Sequence, residues 1–265
     1  MINDEYLKVA NQSGFPLQIA VANLVRRCTE LGWNVYCVEQ AWERPNSSGA
    51  SGFIDLVIEK WNSFFVIECK RVRESTWIFL LPDKGQLKRR FAKSWITAEA
   101  SPGAYNYLGW HSVSLLPISP ESAFCAVRGQ EAHSRTLERI GSELVRATEV
   151  FAMQHSRVRS SRDSQPIRRY YFNMIVTTAK LAICDFSPND INLKDGMIEK
   201  ADIELVPFVR FRKQFSTAPL GSQPEATYFP YGEENENTIF VVNSEHVESF
   251  LEEFEISTES LKKYR

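Results

Sequence analysis

Apolar residues recur at helical spacing through FPLQIAVANLVRRCTELGW (15–33), where Leu17, Val21, Leu24, Val25, Cys28 and Leu31 form one stripe. Pro16 suits a first turn and Gly32 ends the run, so the pattern predicts a helix. WNVYCVEQAW (33–42) predicts a strand, and ERPNSSGASG (43–52), rich in turn formers, predicts a loop. FIDLVIEK (53–60) and SFFVIECKRV (63–72) are strand-like runs separated by Trp61 and Asn62, which predicts an antiparallel hairpin. A helix is expected over 84–100. Pro102, Pro117 and Pro120 break up 101–130, where only AFCAVR (123–128) has strand character.

LERIGSELVRATEVFAMQH (137–155) predicts an amphipathic helix with Leu137, Ile140, Leu144, Thr148, Phe151 and His155 on a core-packing stripe. YYFNMIVTTA and KLAICDF (170–186) predict adjacent strands, and IELVPFVRFRK (203–213) predicts another. TIFVVN (238–243) and SEHVESFLEEF close the chain as strand, Ser cap and short helix. Helix, strands, helices, strands is the order of a mixed α/β chain. The expected organisation is a core over 1–213 with a helical insertion around 131–156. An acidic segment over 214–265, strand plus helix, is expected to pack on the same domain.

The predicted hairpin holds the candidate chemistry. Side chains alternate along a strand, so Phe64, Val66, Glu68 and Lys70 share one face, while Phe65, Ile67 and Cys69 share the other. With the turn at residues 61–62, the partner of Asp55 falls at residue 68 or 69. Two carboxylates and an ammonium therefore meet at one end of an apolar hairpin. Adjacent carboxylates repel unless a proton or cation lies between them. Few hard oxygen ligands, leaving room for water and phosphate oxygens, suit Mg²⁺. A nearby ammonium can stabilise charge developing on phosphate or orient an attacking water. The expected chemistry is metal-dependent phosphodiester hydrolysis.

Composition narrows the setting. The 265 residues are 43% hydrophobic and 24% charged, which fits a substantial core. No apolar run approaches the roughly 18 residues of a membrane span, and the polar start MINDEYLKVANQ predicts no secretory leader. Five scattered cysteines (28, 37, 69, 125 and 184) fit reduced thiols of a cytoplasmic protein. The four histidines are scattered too, with no HxH or HExxH pattern. The net charge of −2 hides an asymmetry: residues 1–213 hold 28 basic and 23 acidic residues, whereas 214–261 hold ten Glu and no Lys or Arg. Two basic clusters, KGQLKRRFAK (84–93) and SRVRSSRDSQPIRR (156–169), can neutralise phosphates. Solvated faces are the bland reading of either cluster alone; together they favour a nucleic-acid partner.

Asp55 followed by Glu68-Cys69-Lys70, in helix–strand–strand–strand order, resembles the PD-(D/E)xK nuclease superfamily over about residues 14–100. The resemblance implies a restriction-endonuclease-like mixed β-sheet flanked by helices. It implies Mg²⁺ (or Mn²⁺) held by Asp55, Glu68 and the carbonyl of Cys69, with Lys70 assisting the attacking water. Many relatives carry a Glu on the first helix; Gln18 stands there in this chain, which favours one metal ion. Lys84, Gln86 and Arg89 or Arg90 resemble the polar residues by which relatives hold the scissile phosphate. Lys84, Lys88, Arg89, Arg90, Arg157, Arg159 and Arg162 are the expected nucleic-acid contacts, with DNA favoured over RNA. No membrane partner is expected; a homodimer or a targeting partner protein is compatible, and the setting resembles a bacterial defence or mobile-element system. The alternative is a decayed site on the same fold, acting as a nucleic-acid-binding or protein-interaction module.

Overall fold

Phe64, Phe65, Val66 and Ile67 each keep 1% or less of their surface in solvent. A strand buried on both faces needs a covering layer on each side, which explains the unbroken apolar run. The computed structural model describes residues 2–43, 51–82, 89–101, 104–129, 136–158, 168–215 and 236–263. Its strands are β1 (Asn34–Glu43), β2 (Ser51–Lys60), β3 (Ser63–Lys70), β4 (Thr76–Leu81), β5 (Arg89–Ser101), β6 (Ala104–Ser119), β7 (Glu121–Ser122), β8 (Cys125–Arg128), β9 (Arg168–Thr177), β10 (Lys180–Asp185), β11 (Asp202–Leu205), β12 (Phe208–Lys213), β13 (Asn237–Asn243) and β14 (Glu255–Ile256). The α-helices are α1 (Ile2–Gln12), α2 (Phe15–Arg27), α3 (Thr136–Val158), α4 (Val247–Glu253) and α5 (Thr258–Lys263).

The protein is mixed α/β, with a large mixed sheet flanked by helices. The main sheet runs β1-β2-β3-β9-β13-β12-β7, with the β5–β6 hairpin branching from β9 and β14 pairing with β6. β2 and β3 are antiparallel, whereas β3, β9 and β13 are parallel neighbours. On one face Phe64 and Val66 pack with Leu137, Leu144 and Phe151 of α3. On the other, Phe65 and Ile67 pack with Val21 and Val25 of α2 and Phe250 of α4. A second sheet, β11-β10-β4-β8, lies apart from this ladder. No helix among the described residues is long and apolar enough to cross a membrane.

Several expectations change. The helix expected over 84–100 is replaced by β5, with 83–88 outside the described residues. Ala92, Lys93, Ser94, Trp95, Ile96 and Thr97 are all buried, which one helix face cannot achieve. Pairing to β6 on one side and to Tyr170 and Tyr171 of β9 on the other buries the whole run. The single strand expected over 203–213 is two, β11 and β12, interrupted at Val206 and Pro207. Proline donates no ladder hydrogen bond, and here the chain passes from the small sheet to the large one. β9 and β10 follow one another in sequence but lie in different sheets. The cap expected from Ser244 is not made: α4 follows a 3-10 turn, Ser244–His246, which Asn243 caps by accepting from the Glu245 N–H at 2.9 Å, and α4 itself has no side-chain cap. β13 is an interior strand between β9 and β12, so the last fifty residues supply part of the core.

Candidate active site

β2 and β3 pair as Leu56↔Ile67, Val57↔Val66 and Ile58↔Phe65. One further step of this register puts Asp55 opposite Glu68. Val57 and Val66 lie in the core beneath α3, and alternation gives Asp55 and Glu68 that same face. Both carboxylates are half-buried. Asp55 Oδ2 accepts the Cys69 N–H at 2.7 Å, tying the strands together beyond the last ladder pair. β3 runs beside β9 as far as Lys70↔Thr177. Thr178 then fastens the exit: its N–H donates to Lys70 O at 3.3 Å. Its hydroxyl accepts from Val72 N–H and donates to Val72 O, both at 2.9 Å. Lys70 thus stands where two parallel strands end together and the chain leaves the sheet.

The electrostatics follow from this crowding. Burial, then Asp55 and Glu143, push Glu68 up to about 7, against the opposing pull of Lys70 and Arg139. Burial also raises Asp55; the Cys69 N–H opposes this and Glu39 adds to it. Arg139 and Glu143 are themselves paired on α3 at 3.1 Å.

Glu39 is the residue that sequence reasoning missed. The β1–β2 register, Val38↔Leu56 and Gln40↔Ile54, puts it opposite Asp55 on the side away from Glu68. Three neighbouring strands therefore carry Glu39, Asp55 and Glu68 side by side. Glu39 has φ of 53°, a left-handed conformation unusual for a residue other than glycine. Gln18 of α2 is 4% exposed; its Nε2 donates to Glu39 Oε1 at 2.6 Å and to the Asp55 carbonyl at 2.7 Å. Both amide hydrogens are thereby committed, and Gln18 acts here as a clamp that ties Glu39 to β2. Glu39 was visible in the predicted first strand, but its register to β2 depends on a connection through 44–50. Arg71 and Arg73, close behind Lys70 in the run KRVR, add two cations just beyond the end of β3.

Other expected site residues fall elsewhere. The Cys69 side chain packs into the core beneath α2 and α4, so only its backbone is at the site. Lys84, Gln86, Lys88, Arg159 and Arg162 lie outside the described residues. Arg89 and Arg90 begin β5, and Arg157 is in the last turn of α3. Lys93 and Arg169, the last members of the two basic clusters, are buried, so neither cluster is wholly a displayed surface. Among the described residues, no three His, Cys, Asp or Glu side chains gather as a ready metal cage. The available donor set is small and hard, two carboxylates with Oδ2 of Asp55 already accepting from Cys69. Such a set fits a cation that retains several waters, as Mg²⁺ does. Compared with family models, curated proteins and solved structures, the chain matches none.

Proposed function

We propose that this chain is a metal-dependent nuclease, hydrolysing phosphodiester bonds at the Asp55–Glu68–Lys70 end of the β2–β3 hairpin on a restriction-endonuclease-like fold. The observation that carries the reading is the register: it sets both carboxylates on one face at a strand end, with Lys70 two residues beyond Glu68. Mg²⁺ or Mn²⁺ would supply charge neutralisation on the phosphate and a bound water of lowered pKa. Asp55, through Oδ1, and Glu68 are the side chains to hold it, with the Cys69 carbonyl as the third ligand that the resemblance implies. Lys70 orients the attacking water or neutralises charge developing on the phosphate. Glu39, clamped by Gln18, supplies the negative charge that Gln18 of α2 lacks and can accept a hydrogen bond from a water in the site. Arg139, whose charge acts on Glu68, and Arg71 and Arg73, just beyond Lys70 in the chain, are cations available for the flanking phosphates. DNA is preferred to RNA on the resemblance alone, and a partner protein that delivers the enzyme to its target fits a chain of this kind.

The second reading, a decayed site that only binds, draws on the absence of a three-carboxylate cage among the described residues. The test is incubation with supercoiled plasmid, single-stranded DNA and RNA in Mg²⁺, Mn²⁺ or chelator. The expected result is metal-dependent cleavage by the wild type and none by Asp55→Asn or Lys70→Ala. Lys70→Ala should still bind within about threefold of wild type, because its contribution is confined to the transition state. Binding without cleavage in every metal, weakened by Lys70→Ala, would instead establish the binding module.

A further inference from the structure

The small sheet presents an apolar outer face. Its inner face, with Trp77, Phe79, Leu181 and Ile183, belongs to the core beneath α3. The outer face can be read in rows across the strands. Ala126, Ile78, Ala182 and Leu205 form one row, and Leu80, Cys184 and Ile203 form the next. Ala182 and Cys184 are small and buried, Ile78 and Leu80 half-buried. Ile203 and Leu205 keep 67% and 64% of their surface in solvent. A third row, Arg128, Thr76 and Lys180, ends the apolar area with two exposed cations.

The same chain carries a helix that lacks a floor. α1 contacts chiefly α2. Tyr6 and Val9 lie on one stripe with Ala10, Leu7 flanks it, and Tyr6, Leu7 and Val9 are 60% exposed or more. Asp4 and Glu5 stand in its first turn. Four strands span about 14 Å, wide enough for one helix of about 10 Å diameter. Successive rows are about 6.7 Å apart, and Glu5 to Val9 is a rise of about 6 Å. Helix side chains lean toward the N-terminus, so with Glu5 reaching back to the Arg128–Lys180 row, Val9 and Ala10 come over the apolar rows. Tyr6, Leu7 and Val9 of α1 and Ile203 and Leu205 at the edge of the small sheet all stay exposed in the one chain, so α1 does not cover that edge itself.

We propose that α1 of a second copy of this chain docks on the outer face of the small sheet, acidic first turn toward Arg128 and Lys180. Reciprocal exchange of the two helices closes a two-fold dimer and covers both surfaces at once. Sedimentation velocity on the full chain tests it, with Val9→Asp and Ile203→Asp, both at exposed positions, and circular dichroism checks that each variant keeps the wild-type fold. The wild type should sediment as a dimer and each variant alone as a monomer. An equimolar mixture should form a heterodimer, because one intact helix and one intact sheet face remain to meet each other. Lys180→Glu should weaken the wild-type dimer several-fold at low salt and less at high salt. A wild type that stays monomeric up to about 100 μM, or a dimer that neither Val9→Asp nor Ile203→Asp disturbs, overturns the proposal.

Discussion

At the scale of single residues, a Glu68 carboxyl raised to about 7 by burial and by Asp55 keeps its proton through the mildly acidic range. The unfolded chain releases that proton near pH 4.5, so the folded state binds more protons between the two values. Stability of the metal-free protein therefore falls as pH rises from about 4.5 to 7, and the Glu68 contribution is fully present only below that window. Urea unfolding in chelator, repeated across this range, should show the decline, and Glu68→Gln should flatten it. Gln18 offers a second residue-scale expectation. Gln18→Glu replaces two donated hydrogen bonds with a carboxylate facing Glu39 and the Asp55 carbonyl, at a position only 4% exposed. The loss should be about 1–3 kcal/mol in chelator, and smaller with Mg²⁺ present if a cation at the site offsets the added charge. Unfolding titrations with and without Mg²⁺ check this.

At the scale of elements, Arg210 shows how one side chain joins three strands. It is fully buried in β12, where Nη2 donates to the Pro117 carbonyl of β6 at 2.7 Å and Nη1 to the Phe91 carbonyl of β5 at 3.3 Å. Its guanidinium lies 5.5 Å from the Phe240 ring centroid on β13, and burial pulls its pKa down to about 10. Arg210→Ala should leave two carbonyls without these donors and open a cavity, lowering stability by about 2–5 kcal/mol. The expected signature is a lower urea midpoint at unchanged slope. β5 itself illustrates how local pattern misleads: its three basic residues, 89, 90 and 93, read as a helical polar face. In the fold Lys93 is buried, because the β5 ladder to β6 and β9 outweighs local preference.

At the scale of the whole molecule, β13 links the chain's end to both cores. Ile239 and Val241 belong to the core beneath α3, Phe240 and Val242 to the core beneath α2 and α4. A chain ending at residue 236 would expose β9 and β12 along an open edge and lose α4. It should fail to fold, seen as lost amide dispersion in NMR spectra; a folded truncation would remove β13 from the core. The β2–β3 hairpin, the stripe of α3 and the apolar runs of β9 and β13 were legible in the sequence, and so were Asp55, Glu68 and Lys70 as one group. The hairpin is contiguous, so a two-residue turn and strict alternation determine which residues meet. Tertiary structure alone decided that Glu39 stands opposite Asp55 and that Gln18 clamps it. It also decided that β9 and β10 part into different sheets, that Pro207 marks the passage between them, and that β13 enters the centre of the main sheet. Periodicity reports burial and spacing within about one element. Partners from distant parts of the chain are set by which strands can pair and be covered on both faces once the whole chain has packed.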